Sequence, residues 1–164
     1  MTPIFRIRPF DSLSDSPASL RSFRMNDPNG NRKRGKIRAA AAVIERDGLI
    51  LVGLRMKDDT YGGYWEFPGG KIDPGEDTRQ CLIRELEEEL EITAEIGEVI
   101  CVVQPNPNFH LTVHHARIVS GEPRLIEHDE LRWVRAEELP NLSMLPADEP
   151  VVRKLLDPGT PKSN

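Results

Sequence analysis

The stretch GGKIDPGEDTRQCLIRELEEELEI, Gly69 to Ile92, decides how the rest of the chain is read. A glycine pair and a Pro-Gly turn lead into a segment with leucines at 82, 86 and 90. That spacing predicts an amphipathic α-helix. Asp77 followed by Gln80 predicts a capping box at its start, and acids in the first turn would suit the helix dipole. The segment also carries Glu85, Glu87, Glu88, Glu89 and Glu91. Like charges three and four residues apart repel on a helix, so something must compensate.

Projection at about 100° per residue separates these glutamates. With Glu85 at zero, Glu88 falls near about −60° and Glu89 near about +40°, so the three share one narrow face. Leu82, Leu86, Leu90 and Ile83 form the expected core stripe. Glu87 and Glu91 point to solvent. A hard divalent cation takes oxygen ligands from carboxylates, carbonyls and water. A carboxylate trio beside an exposed glycine carbonyl would hold such an ion, which would relieve the repulsion. Arg84, on the adjacent flank, could hold one carboxylate by charge-assisted bonds.

Around this centre the 164 residues suffice for one domain. Hydrophobic content of 38% supports one modest core. Residues 1–38 carry nine basic and three acidic side chains, a surplus of six positive charges, so the remainder holds −11 of the net −5. Residues 1–35 are expected to be a disordered or loosely docked basic tail, 36–158 the folded domain, and 159–164 a C-terminal tail. The run NRKRGKIR reads as a solvated linker or as a contact for nucleic acid or a membrane surface. An acidic domain disfavours nucleic-acid polymers, and none is expected as a partner. Two cysteines, Cys81 and Cys101, give no disulfide framework, so both are read as thiols in a reducing, cytoplasmic setting. There is no apolar run long enough for a membrane span.

IRAAAAVIERDGLILVGLR predicts two strands joined at Asp47-Gly48. GEVICVVQ and HLTVHHARIVSGE read as strands on either side of a turn-rich break, PNPNFH. LRWVRAEEL starts as a strand and ends as a short helix, and PADEPVVRKLLD is a helix. Strands and helices without regular βαβ alternation indicate an α+β fold or αβα sandwich. His110, His114, His115 and His128 are read as strand and loop residues rather than metal ligands, because their surroundings are hard and oxygen-rich.

Gly70, five residues, Glu76, seven residues, then Arg84-Glu85-Leu86, Glu88-Glu89 and Ile92 closely resembles the box that defines Nudix hydrolases. Glu91 stands where that family usually has glycine, which puts the helix exit in question rather than the carboxylates. The resemblance covers roughly Lys36 to Leu156. WEFPGGKIDPGE and LPADEPVVRKL are similar to the MutT branch, which hydrolyses nucleoside triphosphates. It implies a Nudix-type αβα sandwich with a mixed β-sheet and a loop-helix-loop box. It implies Mg²⁺, with Mn²⁺ able to substitute, on Gly70, Glu85, Glu88, Glu89 and a distant acid, for which Glu127 is at the matching place. Glu85 is then the base or water-orienting group and Arg84 positions it. Attack at the β-phosphorus would give a monophosphate and pyrophosphate, as in nucleotide-pool sanitising.

Arg55 is a candidate phosphate contact, with a plain surface arginine as the alternative. Phe67 aligns with an aromatic of that branch's base pocket. PNFHLT resembles its pocket segment, with Asn108 or the backbone near Phe109 touching the base. Asp148 stands where the branch's eponymous enzyme has Asn. An ionised carboxylate only accepts hydrogen bonds, so it would favour amine donors such as cytosine N4 and disfavour guanine O6 unless protonated. The alternative for Asp148 is a helix N-cap. Other readings are a Nudix hydrolase of ADP-ribose, a dinucleoside polyphosphate or an RNA 5′ end, or a non-catalytic nucleotide sensor. The partner is a nucleotide, with no membrane, and the protein is a monomer or homodimer.

Overall fold

Four consecutive alanines form the centre of the fold because their strand is packed on both faces. The computed structural model describes residues 36–157 and 159. The tail expected over residues 1–35, and all but Gly159 of the one expected over 159–164, lie outside the described residues. Strand β1 (Ile37–Arg46) and β2 (Leu49–Arg55) form the expected hairpin, with Glu45 opposite Ile50 and Arg46 opposite Leu49. Asp47 and Gly48 have φ of 53° and 75°, the conformation a two-residue primed turn requires. The remaining elements are β3 (Trp65–Glu66), β4 (Gly69–Lys71), α1 (Thr78–Leu90), β5 (Thr93–Asn106), β6 (Phe109–Ser120), β7 (His128–Val134), a 3-10 helix (Ala136–Asn141) and α2 (Glu149–Leu156).

The mixed sheet runs β3-β2-β1-β6-β5, with β1 and β6 parallel and the other pairs antiparallel. β4 pairs with β1, and β7 pairs with β2. Alternation along β1 assigns its side chains to two cores. Ala39, Ala41 and Val43 join Val151 and Val152 of α2, whereas Ala40, Ala42 and Ile44 join Cys81, Leu82, Leu86 and Leu90 of α1. Two helical layers therefore enclose one sheet. Gly69 of β4 pairs with Ala41 of β1, and a Cβ at Gly69 would lie 2.1 Å from the Ala40 carbonyl oxygen, so the pairing requires glycine there.

Helix α1 begins with the expected reciprocal box between Asp77 and Gln80. Its first turn holds no acid, however: Glu76 and Asp77 stand before the helix, where Asp77 caps it. Ile83 also departs from expectation. It lies at the margin of the stripe and is 47% exposed, while Cys81 occupies the core instead. The three buried leucines each contribute roughly 1.5–3 kcal/mol, against a few tenths of a kcal/mol for each like-charge pair. Packing thus outweighs the repulsion. Glu91 ends the helix at φ 53° and ψ 39°, the left-handed conformation that a glycine usually takes. The helix exit survives the substitution, and Glu91 pairs with Arg124 at 2.8 Å.

Candidate active site

A cavity of about 670 Å³ is lined by residues from both faces of the sheet. One end is lined by Gly70, Glu85, Glu88, Glu89 and Glu127, the other by Phe67, Phe109, Leu145, Ala147 and Asp148. The fold brings together the three glutamates of one helix face, the loop carbonyl and the distant acid. Glu87 and Glu91 face solvent.

Gly70 lies directly beneath Glu85. A Cβ there would stand 2.3 Å from the Glu85 carboxyl carbon, so glycine is what allows loop and helix to approach. Arg84 donates from Nη1 to Glu85 Oε1 at 2.8 Å and from Nε to Glu76 Oε1 at 2.7 Å. Glu76 Oε2 also accepts from the Asp73 backbone N–H at 2.9 Å. Arg84 holds the Glu76 carboxyl far below its usual range, at about 2. Burial raises the Glu85 pKa, and the Arg84 contact opposes that rise. Glu89 is raised further, first by burial and then by the charges of Glu66, Glu85 and Glu127. Glu89 Oε2 is buried without a hydrogen-bond partner. The Cys81 thiol packs against the Gly70 and Lys71 carbonyls and is raised to about 12 by burial, so it is no nucleophile.

At the other end, Asp148 is 3% exposed and lies at the start of α2, yet its side chain makes no cap bond. Asp148 Oδ2 instead accepts from the Phe67 backbone N–H at 3.1 Å, so the residue occupies the N-cap position without capping through its side chain. Burial, and then the charge of Glu66, raise its pKa to about 8. Burial therefore favours the neutral acid, the form that the sequence reading required for a guanine base, over the ionised carboxylate. Phe67 is both a core residue and a wall of the cavity, and Phe109 also lines it. Asn108 does not; it is exposed in the β5–β6 turn, where its carbonyl accepts from the Ile37 N–H. Arg55 is no surface arginine. It is 6% exposed, lines the cavity, and donates to Thr60 O, Glu66 Oε2 and Asp59 Oδ2.

Glu66, a cavity residue, has no role in the sequence reading, and His128, read there only as a strand or loop histidine, also lines the cavity. Glu66 sits between Trp65 and Phe67, which belong to the α2-side core, so strand alternation places it on the opposite face. That signal was present in WEFPGG. His128 is buried at the start of β7, and only the tertiary fold brings it to Glu66. His114 is also buried, bridging Thr78 and the Gly97 carbonyl as a strand histidine.

The NUDIX domain family matches residues 35–155, nearly the whole described chain. The chain is a Nudix hydrolase. It is 39% identical over 123 residues to a CTP pyrophosphohydrolase of Escherichia coli, covering 73% of this chain and 91% of that protein. It is 36% identical over 115 residues to a putative 8-oxo-dGTP diphosphatase 2 of Mycobacterium tuberculosis, covering 66% and 79%. The crystal structure of a MutT NUDIX hydrolase from Burkholderia pseudomallei superposes with a TM-score of 0.66 at 32% identity, covering 73% and 98%. This Nudix hydrolase is thus MutT-like in sequence and fold and acts on phosphoric anhydride bonds.

Nudix hydrolases generally use divalent metal ions. Among the described residues, no three His, Cys, Asp or Glu side chains already form a metal cage. Glu85 is instead turned toward Arg84. The donor set nevertheless fits a hard cation: it is all oxygen, and Glu89 Oε2 is buried with no partner. A buried, unsatisfied carboxylate oxygen is costly unless something completes it. Among the described residues no helix is long and apolar enough to cross a membrane.

Proposed function

We propose that this Nudix hydrolase is a Mg²⁺-dependent nucleoside triphosphate pyrophosphohydrolase. The reading rests on one observation above all: a single cavity joins the carboxylate cluster at one end to the Phe67, Phe109 and Asp148 wall at the other. A nucleotide spans such a cavity with its phosphates at the first end and its base at the second. Glu88, Glu89, Glu127 and the Gly70 carbonyl would hold Mg²⁺, with Glu85 completing the set. Bound there, the ion supplies charge neutralisation for the anhydride and a lowered pKa for water.

The chain's own groups do the rest. Glu85, the base, takes a proton from the attacking water, and Arg84 keeps its carboxylate charged and aimed. The water oxygen bonds to the β-phosphorus as the bond to the α-phosphate oxygen breaks. The products are a monophosphate and pyrophosphate. Phe67 and Phe109 sandwich the planar base and exclude water from it. Arg55 contributes positive charge to the phosphate path, although three protein acceptors already engage it.

Neutral Asp148 both donates and accepts. It can pair with cytosine through N3 and N4, or with guanine through O6 and N1. The CTP and 8-oxo-dGTP activities named for the relatives fit these two pairings, and support a nucleotide-pool sanitising role. A release assay with Mg²⁺ and CTP, 5-methyl-dCTP, dGTP and 8-oxo-dGTP tests the proposal. Pyrophosphate and monophosphate should appear from at least one of them. Folded protein that releases neither pyrophosphate nor phosphate from any of them would overturn it.

A further inference from the structure

We propose that His128 is a positioning residue that, together with Arg55, fixes Glu66 as a hydrogen-bond acceptor for the nucleoside part of the substrate. The inference rests on the nucleotide reading above and adds a specificity device to it. His128 Nε2 lies 3.2 Å from Glu66 Oε1, and Arg55 Nη1 lies 2.7 Å from Glu66 Oε2. The two oxygens of one carboxylate are therefore held by two different elements, β7 and β2. For Glu66 Oε1 to accept from the ring, His128 carries a proton on Nε2.

The His128 ring has been placed at some cost. It is 4% exposed, and its Nδ1 is buried with no hydrogen-bond partner. A histidine that served only as filling would leave no such orphan if an apolar side chain took its place. The ring also depends on Gly53, where a Cβ would lie 2.4 Å from His128 Cδ2 and 2.6 Å from Nε2. The glycine on β2 clears the floor on which the ring lies.

The held carboxylate lies where a nucleoside would pass. Glu66 lines the cavity, and its charge bears on Glu89 at the metal end and on Asp148 at the base end. A carboxylate offers about four acceptor sites. His128 and Arg55 occupy one side of each oxygen, leaving the others for a sugar hydroxyl or an exocyclic amine. Fixing the carboxylate beforehand spares the substrate the entropy of ordering it.

The test is a double-mutant cycle between His128→Phe and Glu66→Gln. His128→Phe keeps a planar ring and removes Nε2. KM values for CTP, dCTP, dGTP and 8-oxo-dGTP are measured with Mg²⁺, alongside Kd values for CMP and dGMP, which need no turnover. His128→Phe should raise KM and Kd by about tenfold, flatten the preference between these nucleotides and change kcat much less. In the Glu66→Gln background it should add little, because the two act as one unit. Gly53→Ala, which alters no cavity-lining residue, should reproduce the flattened preference by displacing the ring. Lowered melting temperatures with unchanged KM, Kd and ranking, or effects that simply multiply, would overturn the inference. If wild-type protein turns over none of the triphosphates but the cycle in Kd still shows coupling, the hydrolytic reading fails and the positioning role stands.

Discussion

Arg84 is held between two carboxylates: its Nη1 reaches Glu85 at 2.8 Å, and its Nε is fixed by Glu76 at 2.7 Å. Because Glu76 is tied to the Asp73 backbone, the loop before α1 sets the angle of the guanidinium and hence of Glu85. Glu76→Gln should leave nucleotide KM nearly unchanged and lower kcat by about tenfold to a hundredfold, as expected when a reacting group is misplaced. The same substitution changes acid stability. The folded pKa of Glu76 is depressed to about 2 from 4.5, so its contribution is present above pH 4.5 and lost as pH falls toward 2. Chemical denaturation of both proteins across that window should show the stability difference closing.

Glu85→Gln should reduce kcat by roughly 10²–10⁴, the usual contribution of a general base, while the far-UV spectrum stays native. Burial raises the Glu85 pKa, so the amide is no burden to the fold and the melting temperature should hold or rise. Wild-type turnover by this variant would remove Glu85 as the base.

Sequence spacing made α1, the β1–β2 hairpin and the carboxylate face legible because each rests on contacts within a few residues. Ile83 escaped that logic. It lies at the edge of the stripe, where the position of neighbouring strands, not the helix period, sets exposure. The β5–β6 turn explains Asn108 and Phe109: adjacent residues diverge there, so naming the segment did not settle which side chain enters the cavity. The base end was the least legible. Asp148 meets Phe67 across 81 positions and His128 meets Glu66 across 62, and no local pattern encodes either contact. Burial also favours the neutral form of Asp148, an effect that depends on the finished tertiary structure.

Glu91→Gly should stabilise the domain. A side chain in the left-handed region costs roughly 1 kcal/mol relative to glycine. The Glu91–Arg124 pair that would be lost is more than half exposed on both sides and contributes little. The melting temperature should rise by about 2–4 °C with turnover unchanged. A fall would show that the ion pair matters more than the backbone strain.

Glu89 links metal binding to stability. Its Oε2 is buried without a partner, so an ion that completes it should raise the melting temperature in proportion to RT ln(1 + [L]/Kd). Titrating wild type with Mg²⁺ should show that rise, and EDTA should reverse it. Glu89→Gln should melt at least as high as metal-free wild type, because a buried acid is gone, and should gain much less from Mg²⁺. An equal Mg²⁺ response in both proteins would remove Glu89 from the ligand set.

Asp148→Asn separates base choice from protonation. The folded pKa of Asp148 is raised to about 8 from 3.8, so between those values the native state holds a proton that the unfolded chain has lost. Wild-type stability, relative to the variant, should therefore fall as pH rises, by up to ~1.4 kcal/mol per pH unit, and level off above about pH 8. The amide donates and accepts at every pH, so the variant should lose the alkaline change in base preference that ionisation of Asp148 brings to wild type. Guanine discrimination should rise above pH 8 in wild type alone, because the ionised carboxylate repels O6. Identical CTP to 8-oxo-dGTP ratios for both proteins across this range would show that Asp148 holds Phe67 without reading the base.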